Sequence, residues 1–339
     1  MKKKLVIITD AWYPQVNGVV TTYTNLIQNI DHDLYDVDVI EPSQFKTIPI
    51  PFYKEINLSI VTKKQMLHKI KESIGNSEIF RIHIATEGPL GLQAKRVLDE
   101  ARIRYSTAYH TKFPEFLNSM FKIPVKFTKW YFDWFHKDSK FVLVPSKSVV
   151  LENPKWKTKV MGRGYGKEFK FNVNRKQKLE LDIDFEEKKL LYVGRVSKEK
   201  SVEEFCKINI PHVKKCVIGN GPQKKYLKKR YPDVEFLGYK FGKELARGYS
   251  CADVFVFPSK TDTFGIVILE AMACGTPVAS YDVTGPRDQI INGVNGYMSS
   301  SLTNAVIKCF NLDREKVYNS VKHISWKKTA EEFIRYIEE

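Results

Sequence analysis

The chain reads as an α/β protein built from two parallel-sheet domains, and three observations carry that reading. Short apolar runs alternate with amphipathic stretches of helical period along most of its 339 residues, the pattern of a parallel sheet wrapped by helices. The runs fall in two series, at 5–9, 37–40, 79–84, 105–109 and 141–144, then at 189–193, 216–218, 234–237, 254–257 and 278–280. Between them residues 167–187 are charged and aperiodic, a candidate linker. The expected units are 1–166 and 188–313, each with its own core. Two Rossmann-like domains facing across a cleft would turn the C-terminal ends of both strand sets, and hence both binding crevices, toward one another.

Composition narrows the class. An apolar content of 43% with 13% aromatics excludes a disordered chain. No stretch reaches the roughly 20 apolar residues of a membrane span, and the first apolar run stops at Thr9 and Asp10, as a buried strand does and a secretory leader does not. Cys206, Cys216, Cys251, Cys274 and Cys309 show no metal-type spacing, and their odd number fits a reducing compartment, so a cytoplasmic site of action is expected. The net charge of +16 is spread over both halves. Nucleic acid, an anionic membrane and plain lysine-rich composition compete to explain it. Specific nucleic-acid binding lacks its aromatic or finger motifs, so a peripheral position on the cytoplasmic membrane face is the functional expectation.

The loop after the first strand leads through Gly18 into an amphipathic helix at 20–30, where a glycine would let backbone approach a ligand; turn formation explains such a glycine equally well. The strand at 105–109 ends at His110, with Glu115 beyond it. A lone histidine is more often structural than catalytic. Phe127, Trp130, Tyr131, Trp134 and Phe135 recur at helical spacing and read first as a helix packed on the core, with membrane docking second. The helix at 62–74, with Lys63, Lys64, Lys69 and Lys71 outside its apolar stripe, is the preferred lipid-surface candidate.

In the second series the strand at 189–193 runs into Gly194, Arg195 and Lys200, two cations placed at the start of the next helix and suited to phosphate. Gly219 and Gly221 make a turn after the following strand, and Gly238, Tyr239 and Lys240 end another. The most informative segment is 258–277. Strand 253–257 feeds a short loop holding Asp262; Phe264, Gly265 and Ile266 then open a helix that carries Glu270. The first N–H groups of a helix lack intrahelical partners and favour an anion. Two carboxylates flank that seat with seven residues between them. Carboxylates repel phosphate but accept hydrogen bonds from sugar hydroxyls, so the segment suits a phosphorylated sugar. Asp36 with Asp38, and Asp182 with Asp184, form short acidic strings, but the first borders a strand far in the chain from the Arg195 and Lys200 cations and the second lies in the linker, so no metal is called for.

Segment 258–277 resembles the Glu-x7-Glu signature of retaining GT-B glycosyltransferases of glycosyltransferase family 4, with Asp262 where the first Glu stands. Blocks at 110–115, 134–136, 192–200, 257–277 and 283–286 are similar to the branch of GDP-mannose-dependent α-mannosyltransferases and glycosyl- or sulfoquinovosyl-diacylglycerol synthases. The resemblance implies a GT-B fold whose closing helices, at 314–323 and 326–337 within the tail 314–339, cross back toward the first domain. It also implies a retaining hexosyltransferase with a UDP- or GDP-sugar donor and neither metal nor other cofactor. In that family the counterpart of Asp262 contacts the donor sugar and that of Glu270 the ribose. Arg195 and Lys200 match the clamp on the diphosphate, which also rests on the helix start at Phe264, Gly265 and Ile266. Gly18 matches a glycine near the donor phosphate, Gly219 and Gly221 a wall of the nucleotide pocket, and Tyr239 a position by the base. His110 matches a histidine near the donor sugar, with Glu115 on the acceptor side. The implied catalytic set is His110, Arg195, Lys200 and Asp262.

Two departures stand out. Gly166 replaces the Asp of a turn that relatives carry, and Asp262 is one methylene shorter than Glu. A diacylglycerol-type lipid at an anionic membrane surface is the first expected acceptor, and a soluble glycan the alternative. A reading from another class is a non-catalytic protein that keeps the sugar-nucleotide fold and uses its basic surface.

Overall fold

A computed structural model describes residues 2–50, 53–171 and 187–339 of the chain. It divides into two compact units, Met1–Arg163 with Trp326–Glu339, and Gly164–Ser325. The candidate linker at 167–187, with Asp182 and Asp184, lies largely outside the described residues.

In the first unit β1 (Lys3–Ile8) and β2 (Tyr35–Ile40) pair in parallel, and a hairpin of β3 (Lys46–Ile50) and β4 (Tyr53–Ile60) follows. The sheet continues with β5 (Phe80–Ile84), β6 (Ser106–Ala108), β7 (Val142–Val144) and β8 (Thr158–Val160), in the order β2-β1-β5-β6-β7-β8. Leu5 and Ile7 face one buried cluster while Val6 and Ile8 face another, so the central strand is apolar at every position after its opening Lys3 and Lys4. Burying each such side chain contributes about 1.5–3 kcal/mol.

The second unit holds β9 (Lys188–Val193), β10 (Val213–Ile218), β11 (Val234–Gly238), β12 (Val254–Phe257), β13 (Val278–Ser280) and β14 (Gly296–Met298), all parallel, in the order β11-β10-β9-β12-β13-β14. The chain runs outward from β9 to β11, returns to the other side of β9 as β12, and runs outward again. The order therefore reverses between β9 and β12, and the crevice beyond their C-terminal ends is the topological switch point where ligands bind in open α/β sheets. In the first unit the same reversal lies between β1 and β5.

The strands expected from sequence coincide with the central ones of both sheets and with one edge of each, β2 and β11. The β3–β4 hairpin and the three-residue edge strands β8 and β14 were not foreseen: Pro49 argues against a strand, and short edges bury too little to show a pattern. The aromatic stripe divides. Phe135 is buried and Tyr131 and Trp134 pack on the core, whereas Phe127 and Trp130 are 73% and 71% exposed, so the expectation of a core-facing stripe fails for its first turn. Periodicity marks one face of a helix but not how far the layer beneath it extends. The two closing helices part company: Arg314–Val321 belongs to the second unit, and only Trp326–Glu338 packs on the first, against Gly18–Asn29. Among the described residues no helix is long and apolar enough to cross a membrane.

Candidate functional site

At the switch point of the second unit the loops after β9, β10 and β12 meet. Gly194 follows β9 and donates its N–H to Ile218 O at 3.0 Å, and Val196 N donates to Asn220 O at 2.9 Å, so the loops after β9 and β10 interlock. The interlock needs glycine. A Cβ on Gly219, whose φ is +138°, would stand 1.9 Å from Gly194 O, and one on Gly221 2.4 Å from Val196 O. Arg195 leaves this turn half-buried, its carbonyl accepting from Tyr192 Oη at 2.8 Å.

Lys200 ends a 3-10 turn, Lys198–Lys200, ahead of the short helix Val202–Cys206, so it precedes the helix start at which the sequence reading put it. Thr261 Oγ1 donates to Glu199 O at 3.3 Å and ties this turn to the loop after β12. Across the same tie, Lys200 Nζ donates to Asp262 Oδ1 at 2.5 Å. Asp262 Oδ2 is buried with no hydrogen-bond partner. The cation and carboxylate expected to serve different parts of a ligand are thus joined to each other.

Gly265, at φ +86°, stands at the N-cap of helix Ile266–Ala273 and offers no side-chain cap; its carbonyl accepts from Ile268 N at 3.0 Å, and no capping side chain claims the N–H groups ahead of it. Gly285 packs beneath the loop, where a Cβ would lie 3.0 Å from both Asp262 O and Phe264 O, and Gln289 Nε2 donates to Phe264 O at 2.6 Å. One turn into the helix, Glu270 Oε2 accepts from Tyr249 Oη at 2.9 Å. Burial lifts the Glu270 carboxyl to about 7, with Glu168 pushing the same way and the Tyr249 hydrogen bond opposing. Tyr239 lies further along the sheet at the end of β11, 51% exposed and stacked on Phe241 at 5.9 Å between ring centroids.

The first unit holds the other three expected residues. Gly18 starts helix Gly18–Asn29 with an ordinary φ, and the N–H groups of Val19 and Val20 both go to Asn17 Oδ1 at 3.0 Å. Asn17 therefore fills part of the anion seat, and nothing in the local backbone demands glycine at 18. Glu115 sits in the first turn of helix Phe113–Phe121 with Oε2 buried and without a hydrogen-bond partner. His110 follows β6 and contacts Tyr23 Oη through Nε2 at 2.8 Å and Arg163 Nη2 through Nδ1 at 2.7 Å.

Sequence reasoning missed Tyr23 and His83 around that histidine, because at helical and strand period they read as core filler, and it took Arg163 only as the start of the turn that departs from relatives at Gly166, since nothing local links a loop arginine to a histidine 53 residues earlier. It also passed over Asp10. This buried carboxylate accepts from Thr86 Oγ1 at 2.8 Å and from Leu90 N and Gly91 N, and so closes the first unit's switch point by capping helix Pro89–Glu100.

Comparison with known proteins matches residues 172–305 to the family model described as glycosyl transferases group 1. The chain is 27% identical over 309 residues to the sulfoquinovosyl transferase SQD2 of Arabidopsis thaliana, covering 83% of this chain and 56% of that one. It is 25% identical over 316 residues to a GDP-mannose-dependent alpha-mannosyltransferase of Corynebacterium glutamicum, covering 87% and 76%. Against the alpha-monoglucosyldiacylglycerol synthase of Streptococcus pneumoniae the identity is 26% over 311 residues, covering 81% and 70%. Among solved structures, sucrose-phosphate synthase from Thermosynechococcus elongatus superposes with a TM-score of 0.75 at 18% identity over 99% of this chain and 98% of that one. Anabaena HepE, solved in complex with UDP and glucose, gives 0.73 at 15% identity over 99% of each. At these identities the structural likeness speaks for the fold alone, and that fold is GT-B.

Proposed function

Because the chain belongs to the family 4-like glycosyltransferases of GT-B fold, we propose that it moves a hexose from a nucleotide-diphosphate sugar to a lipid acceptor, with retention of configuration and without a metal. The observation that carries the transferase reading is the meeting of Arg195, the Lys200–Asp262 pair and the uncapped helix start at Gly265 around the β9/β12 switch point. In this reading Lys200 leaves Asp262 for the diphosphate, Arg195 and the helix N–H groups share its charge, and Asp262 turns to the donor sugar. Glu270, oriented by Tyr249, accepts from the ribose in its ionised form. The departing diphosphate takes the acceptor's proton on the same face, and stabilising its charge supplies most of the rate.

Lipid is favoured over a soluble glycan by one surface feature. Val125, Phe127 and Trp130 are exposed on the first turns of helix Val125–His136 with Lys122, Lys126 and Lys129 among them, apolar anchors ringed by cations as an anionic bilayer requires. This displaces the helix at Lys63–Ile74, whose Met66 and Ile70 point inward, as the preferred contact. The name of the pneumococcal relative, an alpha-monoglucosyldiacylglycerol synthase, agrees with a glycolipid product, and that of the corynebacterial one keeps a mannosyl donor open. UDP- and GDP-sugars offered with total lipid extract, with products read by mass spectrometry and the anomeric centre by NMR, test donor, acceptor and stereochemistry together. Transfer only to soluble glycan would replace the lipid reading, and loss of activity in EDTA would overturn metal independence.

A further inference from the structure

Five side chains from separate parts of the first unit form one continuous, largely buried chain of hydrogen bonds, with His110 its half-buried member. Ser106 Oγ meets His83 Nδ1 at 2.8 Å, and His83 Nε2 meets Tyr23 Oη at 2.7 Å. Tyr23 Oη meets His110 Nε2 at 2.8 Å, and His110 Nδ1 meets Arg163 Nη2 at 2.7 Å.

The direction of every proton follows from the last member. A guanidinium has only donors, so His110 Nδ1 must present its lone pair to Arg163, and the ring proton of a neutral His110 resides on Nε2. Nε2–H then donates to Tyr23 Oη. The single phenolic proton passes on to His83 Nε2, which leaves His83 protonated at Nδ1 and donating to Ser106 Oγ. Turning the His83 links around would make Tyr23 Oη accept from both imidazoles and leave its phenolic proton without an acceptor inside the protein, at the cost of an unmade buried hydrogen bond.

From this geometry we propose that Tyr23 and Arg163 are positioning residues that hold His110 as a neutral imidazole in its Nε2–H tautomer, so that His110 serves by placement and not as a proton carrier. Arg163 is itself anchored through Nη1, which donates to Met161 O and Gly162 O at 2.8 Å each. The groups facing the chain act together at His110, whereas at Tyr23 burial is opposed by the Arg163 charge and aided by Glu87. Burial first, then the Arg163 charge and His83, opposes a positive charge on His110, and Phe333 from the closing helix packs edge-on against His83 at 5.3 Å and keeps it dry. Burial holds His83 down at about 3, and Glu87 adds to the burial that keeps Tyr23 protonated. Arg163, lowered to about 10 by burial, stays charged at neutral pH.

The inference uses the proposed transfer only where turnover is measured; the tautomer stands on its own readout. The first test is long-range 1H–15N NMR of the full chain labelled at histidine, from pH 5.5 to 8.5. His110 is expected to stay neutral throughout with a protonated Nε2 and a bare Nδ1, and His83 to show the opposite pattern. Arg163→Lys, which keeps a donor-only partner, retains the His110 pattern. Titration of His110 within that range, or a proton on its Nδ1, overturns the proposal.

The second test is the pH profile of transfer by Tyr23→Phe. With the ring no longer held at Nε2, kcat falls roughly 10- to 100-fold while donor KM and the shape of the profile stay as in the wild type. An unchanged kcat in the folded variant removes the positioning role, and a neutral-pH limb that disappears in His110→Gln would make His110 a proton carrier after all. Failure of the wild-type chain to transfer any sugar would overturn the proposed function and leave the NMR result to stand or fall alone.

Discussion

Replacing Glu270 by glutamine should make the fold more stable and the donor site weaker, and the two effects should part with pH. In the folded chain the Glu270 carboxyl is raised to about 7, chiefly by burial. An unfolded glutamate titrates near 4.5. A raised carboxyl contributes favourably while protonated in both states, and that contribution is lost as pH climbs through 7, because the unfolded chain ionises more readily. At about 1.36 kcal/mol per pKa unit, and discounted for the part of Glu270 that still meets solvent, the loss at pH 8 is about 2–3 kcal/mol. Glutamine is isosteric, never ionises and still accepts from Tyr249. Glu270→Gln should therefore gain about 2–3 kcal/mol over the wild type at pH 8 and almost nothing at pH 4. Urea unfolding of both proteins across that range reads the difference directly. Equal stability at pH 8, or a gain that persists undiminished at pH 4, would refute the assignment of a desolvated carboxylate. Titration calorimetry with a nucleoside diphosphate completes the test: wild-type affinity should fall as pH drops through 7, and the variant should be weak and flat.

Other expectations follow from the same geometry. Arg195→Ala and Lys200→Ala should each lower kcat by roughly 100- to 1,000-fold in steady-state transfer assays, the usual loss when one stabiliser of a developing negative charge is removed; unchanged turnover would remove the clamp from the mechanism. Gly219→Ala should unfold the second unit's ligand edge or destabilise the chain by more than about 2 kcal/mol in thermal unfolding, since its Cβ would lie 1.9 Å from a backbone oxygen that the interlocked loops cannot move aside. The double substitution Phe127→Ser and Trp130→Ser should abolish co-sedimentation with anionic vesicles at low salt while leaving turnover of a water-soluble acceptor analogue intact. The wild type's vesicle binding should weaken as ionic strength rises and the Debye length shrinks toward roughly 3 Å at 1 M.

Much of this molecule was legible in the chain because its central strands are buried on both faces. Such a strand is apolar wherever it is buried, as β12 is throughout and β1 is from Leu5 to Ile8, and that run, closed by a glycine or an acidic loop, marks the strand and the crevice edge after it. The loops carrying Gly194, Gly219, Gly221 and Gly265 were visible for a related reason: each glycine stands where φ is positive. Gly18 shows the limit of that signal, since its backbone is ordinary and its helix start is already claimed by Asn17.

Sequence by itself determined the two sheets, their central strands and the residues at the β9/β12 edge, because burial and turn geometry act through neighbours in the chain. Tertiary structure alone decided which of those residues meet. Lys200 pairs with Asp262 across 62 positions of sequence, and Tyr23 joins His83 to His110 across 60 and 87. It also decided that Phe127 and Trp130 face solvent while Phe135, on the same helix, is buried. Pairing between distant side chains depends on the direction in which packed elements aim them, and no local pattern records that direction.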